Sequence, residues 1–350
     1  MATAVEPRRR DLSLVPSLKR RKEDPIESSE LEPEINELSI EASFNDLLMV
    51  CNKVKVNEYH ICNPFTKECF SLPRLPDTDL IRRRNRINLM AGCICDAYSC
   101  DKHYGCFTNA HYRCKVLLIH SPTIESNTSD QSQLQMEIFS SETGEWCNSI
   151  VSVSLKLNPF GVRSMLAGVV ASNGKLYWVD VEKETGKIQG FVVFDPFKEE
   201  EQCRYINPPL DLLLNQYVSF GVFRGRLRIF QHLWRPKHSF FVWELEDEDA
   251  GTWCMKHEVE HKVHFKHEVY LSGLVTNDFL AFHPYNGEIV FLRSGNYIVL
   301  CNMWTMELKI EGKVRNMPSI LFPDFAKFVL LLLQPSWPTT IPPLPLKFGG

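Results

Sequence analysis

The chain has 350 residues, 44% of them hydrophobic, enough to bury a substantial core as one large all-β domain or two smaller ones. Its formal net charge of -4 and pI near 6.3 give no global attraction for nucleic acid or for an anionic membrane surface, so the expected partners include neither. Arg8, Arg9 and Arg10 with no apolar stretch after them do not spell a secretory signal, and the apolar run Phe328–Leu333 is far short of the ~20 residues a spanning helix needs. The expected location is therefore cytoplasmic or nuclear, and most of the 12 cysteines are expected as reduced thiols.

Residues 1–42 read as a disordered charged tail. Basic clusters at Arg8–Arg10 and Lys19–Lys22 precede Glu27, Glu30, Glu32, Glu34 and Glu37, with too little apolar surface to offset the entropy of ordering. The basic clusters read as a solvated charge run or, at closer spacing than a good bipartite signal, as a nuclear address.

From residue 43 to about 345 the pattern is strand, turn, strand. Two weaker units come first: Leu47–Val50 with Tyr59–Cys62, and Lys115–Ile119 with Met136–Phe139. Three clearer ones follow, each opening on a glycine turn: Asn173–Trp178 with Phe191–Asp195, Gly225–Ile229 with Phe240–Trp243, and Asn286–Phe291 with Tyr297–Leu300. Gly174, Gly225 and Gly287 lie 51 and 62 residues apart, a spacing that suits one supersecondary unit repeated. After the second strand comes a polar turn and an aromatic position, as in Asn63–Phe70, Ser141–Trp146 and Gly251–Trp253. Segments before the glycine turns, Leu166–Val170 and Val218–Val222, supply a further strand. Four strands per unit predict an all-β fold, a β-propeller of five or six four-stranded antiparallel blades. A two-sheet sandwich explains the strands but not the recurrence of the glycine turn at one phase.

Trp146, Tyr177, Trp178, Trp243 and Trp253 fall at repeated positions of these units and read as blade core. Binding residues of such a ring come from loops at one rim, here expected at Asn158–Ser164, Asn207–Gln216 and Arg235–Ser239.

The sharpest enzyme-like string is His257-Glu258-Val259-Glu260-His261, the H-E-x-x-H spelling of a zinc hydrolase. That chemistry needs both histidines one helical turn apart, whereas in a strand they are about 13 Å apart at about 3.3 Å per residue. The surroundings are strand-rich, so a solvated strand face is the expectation and the hydrolase the alternative. A second group, Cys93, Cys95, Cys100, His103, Cys106, His111 and Cys114, lacks repeated CxxC spacing and reads as loop or core thiols ahead of structural zinc. The nearby Arg82, Arg83, Arg84 and Arg86 read as a solvated run. There is no glycine-rich phosphate loop, no G-x-S-x-G elbow and no placed triad, so catalytic, cofactor-binding and metal residues are all expected to be none.

The string Tyr59-His60-Ile61-Cys62-Asn63-Pro64-Phe65-Thr66-Lys67-Glu68, ending in Ser71-Leu72-Pro73, resembles the opening of the plant F-box-associated domain. Tyr112–Val116, Met136–Trp146, Asn173–Trp178, Phe191–Asp195, Phe241–Trp253 and Pro335–Thr339 are similar, in order, to that family's later motifs, so the resemblance spans roughly residues 43 to 340. It implies a kelch-like propeller that holds a target protein while an N-terminal F-box binds the Skp adaptor of a cullin ubiquitin ligase. Met1–Ile40 has neither the leucine-proline opening nor the helical periodicity of an F-box; Leu12, Leu14, Val15 and Leu18 form its apolar cluster and Pro16 interrupts it. The expected function is a non-enzymatic substrate-receptor module, with Skp and cullin as partners where an F-box is present. A stand-alone binding protein is the alternative.

Overall fold

The computed structural model describes residues 38–52, 58–75, 89–97, 112–122, 132–160, 168–198, 202–213, 218–233, 239–260, 277–294, 296–305 and 307–313. Residues 1–37 of the expected tail, the arginine run at 82–86 and the apolar run at 328–333 lie outside these residues.

Every described regular element is a strand. Blade 1 is β1 (Leu38–Phe44), β2 (Leu47–Asn52), β3 (Tyr59–Asn63) and β4 (Glu68–Ser71). Blade 2 is β5 (Leu89–Ala97), β6 (Tyr112–His120), β7 (Ser132–Ser140) and β8 (Glu145–Val153). Blade 3 is β9 (Val170–Ser172), β10 (Lys175–Val181), β11 (Lys187–Phe194) and β12 (Gln202–Ile206), followed by the two-residue β13 (Leu212–Leu213). Blade 4 is β14 (Val218–Phe223), β15 (Arg226–Leu233), β16 (Ser239–Asp247) and β17 (Thr252–Glu260). Blade 5 is β18 (Asn277–Phe282), β19 (Ile289–Ser294), β20 (Tyr297–Asn302) and β21 (Leu308–Lys313).

Within each blade the strands pair antiparallel in chain order. Blades 2 and 3 are also joined at their outer strands, where β12 runs parallel to β8 through the pairs Gln202↔Ser152 and Cys203↔Val153. Equal direction in those two outer strands is what radial repetition of one up-and-down unit produces. The first strands touch in succession, β1 on β5, β5 on β9, β9 on β14 and β14 on β18, so they form the inner row. This is a β-propeller, and five of its blades are described.

The reason no blade could stand alone is visible in the second and third strands of blades 2, 3 and 4, which are apolar on both faces. On β6, Val116 and Leu118 pack with Met49, Tyr59 and Ile61 of blade 1, while Leu117 and Ile119 pack with Leu176 and Trp178 of blade 3. On β10 the same alternation sends Tyr177 and Val179 toward Leu227 and Ile229 of blade 4. Phe230, Phe240 and Val242 of blade 4 then meet Phe279, Phe282, Val290 and Leu292 of blade 5. Successive side chains of a strand point to opposite faces, so a strand buried on both sides reads as a continuous apolar run. A large part of the apolar burial that drives folding is thus inter-blade.

Two blade junctions share one clasp. Trp146, second in β8, donates its indole N–H to the Pro73 carbonyl 2.8 Å away and lies against Tyr59 of the preceding blade. Trp253, second in β17, donates to the Asn207 carbonyl at 2.8 Å and lies against Phe191 of the preceding blade. Tyr177 and Trp178 are buried core, and Trp146, Trp243 and Trp253 are half-buried against it.

Several details differ from the sequence reading. β1 begins at Leu38, ahead of the domain edge placed at residue 43, because Leu38–Phe44 pairs along β2. The strand placed at Leu166–Val170 is the short β9, shifted to Val170–Ser172; residues 161–167 lie outside the described set. Asn173-Gly174 and Arg224-Gly225 turn with both residues at positive φ (48° and 77°, then 48° and 78°), the tight-hairpin geometry that glycine favours. Gly287 belongs to a longer turn and needs its missing side chain for another reason: a Cβ there would meet Arg228 Nη1 at 3.0 Å and the Phe223 ring at 3.1 Å. Finally, Cys62 and Cys69 form a disulfide between β3 and β4, while the other eight described cysteines are free.

Candidate protein-binding face

Antiparallel order gives each blade two ends. The turns from first to second and from third to fourth strand emerge at one, here the upper rim. The turns from second to third strand and the connections between blades emerge at the other, the lower rim.

The upper rim is tightly tied across blades. Glu248, in the last turn of blade 4, accepts from Lys175 Nζ and from the Tyr177 hydroxyl (2.9 Å) of blade 3, and Arg204 reaches the Glu248 carbonyl at 2.7 Å and Asp249 Oδ1 at 2.6 Å. Burial, then the Glu248 charge, push the Tyr177 hydroxyl well above its ordinary value, so it stays a donor. Asn173 Nδ2 donates to the Gly225 carbonyl at 2.6 Å. Arg228, buried against the Phe223 ring, pairs with buried Glu244 at 2.6 Å and caps the Gly287 carbonyl of blade 5 at 3.1 Å. Arg224 bonds the Tyr285 carbonyl at 3.0 Å.

On this rigid base three blades repeat one device. Asn63, Asp195 and Asn302 close their turns by accepting, through Oδ1, the backbone N–H of Phe65 (2.9 Å), Phe197 (3.0 Å) and Trp304 (2.9 Å). Each turn therefore lifts an aromatic ring at the same place. In blade 3 the ring is covered, since the Arg113 guanidinium of blade 2 sits 4.4 Å from the Phe197 centroid. Phe65 is 42% exposed and Trp304 71%, and Tyr285, in the neighbouring upper turn of blade 5, is 66% exposed. The Trp304 and Tyr285 turns are fastened together by Met303 N–H on the Glu288 carbonyl (2.7 Å).

The sequence placed binding on loops that the topology assigns to the lower rim. Asn158 is held by Asp180 Oδ1, which accepts from its backbone N and its Nδ2, both at 3.0 Å, while the Tyr205 hydroxyl donates to Asp180 Oδ2 at 3.0 Å. Burial raises the Asp180 carboxyl above its usual range despite these donors. Tyr205 lies over Gly190, where a Cβ would come within 2.3 Å of its ring. Farther along, β13 pairs with β11, and Lys187, Ile188, Gln189, Pro208, Leu210 and Asp211 line a shallow open groove of about 360 Å³ bridged by Lys187–Asp211 at 2.7 Å. Residues 161–164, 214–216 and 235–238 of the three expected loops lie outside the described residues.

The upper-rim aromatics were missed because a Phe or Trp in a polar turn looks like core that has yet to be placed. The signal that finds them is the shared spelling Asn63-Pro64-Phe65-Thr66 and Asn302-Met303-Trp304-Thr305.

The enzyme-like string divides. His257 and Glu258 sit on β17, opposite Val242 and Phe241, so they are neighbours in an extended strand with side chains on opposite faces, not a helical pair. His257 is held below its ordinary value by burial and then by Arg228. His261 lies outside the described residues. Of the cysteine and histidine group, Cys93, Cys95 and Cys114 are buried on strands β5 and β6, and the other four members lie outside the described residues. Among the described residues no group of three or more His, Cys, Asp or Glu side chains is arranged to hold a metal ion, and no helix is long and apolar enough to cross a membrane.

No curated protein matches the chain. Among solved structures it is similar to one titled "Structure of YjhT", at 9% identity and a TM-score of 0.40 over 78% of this chain and 82% of that one. It is also similar to a chain of one titled "Crystal Structure of Mitotic Checkpoint Complex", at 10% identity and a TM-score of 0.32 over 82% of this chain and 74% of that one. The model of the family described as "F-box protein At3g26010-like, beta-propeller" matches residues 17–324, and the chain belongs to that family.

Proposed function

We propose that the chain is a non-catalytic protein-binding module, the substrate receptor of a Skp–cullin–F-box ubiquitin ligase. The observation that carries the reading is the match of an F-box protein β-propeller family across residues 17–324. The propeller does no bond chemistry. It raises the local concentration of a target lysine near a charged ubiquitin enzyme, the effect of tethering two reactants on one scaffold. The target binds at the upper rim, where Trp304, Tyr285 and Phe65 stand exposed on turns already fixed by hydrogen bonds. Large aromatics on a preordered base are the usual anchors of protein interfaces, because they bury much area at little cost in conformational freedom. Such a module works in the cytoplasm or the nucleus, where the ligase machinery is found.

Co-purification with the Skp adaptor and a cullin tests the ligase part. Recovery of both supports it. Target binding without either supports a second reading, a stand-alone binder that shields its targets.

A further inference from the structure

Three thiols meet inside the contact between blades 1 and 2. Cys93 and Cys95 are two apart on β5 and share a face, and Cys114 on β6 stands directly opposite Cys95. All three are buried among Met49, Tyr59, Ile61 and Phe139, and the Cys93 and Cys114 sulfurs are 3.9 Å apart.

The two possible partners of Cys114 are not equivalent. Its backbone N–H and C=O are both turned away from β5, bonding the Ser141 hydroxyl at 2.8 Å and the Ser141 N–H at 3.0 Å. Cys95 and Cys114 are therefore a non-hydrogen-bonded cross-strand pair, the kind whose Cα atoms stand about 4.5 Å apart with side chains closest. A disulfide usually spans Cα atoms about 4.4 to 6.8 Å apart. Cys93 opposes Val116 and reaches Cys114 only on the diagonal, at about 7 to 8 Å. The molecule contains a bonded example of the direct relation: Cys62 and Cys69, opposite one another on β3 and β4 with Cα atoms 4.1 Å apart, are joined.

We propose that Cys95 and Cys114 form an oxidisable pair that closes into a cross-strand disulfide on exposure to a peroxide, making a covalent loop of residues 95–114. In the first step the Cys114 sulfur, as thiolate, attacks one peroxide oxygen; an S–O bond forms, the O–O bond breaks, and the leaving hydroxide takes the proton that Cys114 gave up and departs as water. In the second the Cys95 sulfur attacks that sulfur; the S–S bond forms, the S–O bond breaks, and the oxygen departs as water with the Cys95 proton. Two thiols are oxidised and one peroxide is reduced to two waters. The first attack needs a thiolate. Hydrogen bonds from the Cys93 and Cys95 thiols favour negative charge on Cys114 against the burial that opposes it, and the Lys115 charge helps, while both donor thiols are pushed up. Cys95 lies near the end of β5, and peroxide is small and uncharged.

The test uses the full chain without any partner, so its result is independent of the ligase reading. The protein is treated with hydrogen peroxide, free thiols are alkylated, and unreduced peptides are mapped by mass spectrometry. The expected product is a Cys95–Cys114 peptide pair that dithiothreitol releases, with Cys93 alkylated, and Cys93→Ser should give the same pair. The proposal is overturned if Cys95 and Cys114 remain alkylatable when exposed Cys147 has been oxidised, if Cys93–Cys114 forms instead, or if the thiols hold a metal that a chelator must remove before they react.

Discussion

The two ends of the propeller solve different problems with the same blades. At the upper rim the described turns of blades 3 to 5 are cross-tied, as Glu248 grips blade 3 and Arg228 grips blade 5, and Phe65, Tyr285 and Trp304 are left facing water. At the lower rim much of the connecting chain lies outside the described residues, and the ties that the described residues show there include the Asp180 clasp with Asn158. A rim whose backbone is fixed by its neighbours can expose large rings without losing them to collapse. This contrast argues for the upper rim as the platform on which a partner docks.

The contrast can be broken most severely from above. Arg228→Ala removes the closest cation from buried Glu244, which keeps Arg226 at 3.3 Å and Lys256 at 3.9 Å, and uncaps Gly287, so the loss of two hydrogen bonds, one of them charged on both sides, should cost about 3 kcal/mol in denaturant melts. Gly190→Ala strikes the lower half. Its methyl collides with Tyr205, which must leave Asp180, and a loss of about 2 to 3 kcal/mol is expected, with Tyr205→Phe costing about 1 kcal/mol on the same scale. Trp253→Phe keeps a ring against Phe191 but abandons the Asn207 carbonyl, and should cost roughly 1 kcal/mol in the same assay.

The smallest effect is one of pH. Burial holds His60 and His257 below their ordinary value of 6.5 in the folded protein. As pH falls below 6.5 the unfolded chain takes up protons that the folded chain declines, so stability is lost from there down toward the lowered values. Asp180 has the opposite sign: its raised carboxyl favours the folded state as pH falls through that raised value toward 3.8. Melting temperatures measured downward from neutral pH should therefore drop first. His257→Asn should flatten that first drop, and an unchanged slope would show that its environment was misread.

The legible part of the fold was the second and third strand of each blade. Leu117–Ile119, or Leu176–Trp178 with Phe191–Phe194, are apolar on both faces because both faces meet another blade. The inner strands were harder to read. β1 mixes Ser39, Glu41 and Ser43 with its apolar residues, and β9 is three residues long, too short for any period to register. Outer strands showed through their aromatics, since Trp146 and Trp253 must both pack and donate. Gly287 spelled the same turn as Gly174 yet serves close packing under Arg228, a distinction that depends on a neighbour in space. The exposed rings of the upper rim were hidden for a related reason. Composition marks Trp304 as apolar, and only the turn that carries it decides that the ring faces out.

The central claim is that a partner protein docks on the aromatic upper rim, and site-specific photo-crosslinking tests it most directly. A photoreactive residue placed at Trp304, and separately at Leu210 in the lower groove, should yield one defined protein adduct from position 304 that excess unmodified chain competes away, and none from position 210. Adduct at position 210 with none at 304 would contradict the account.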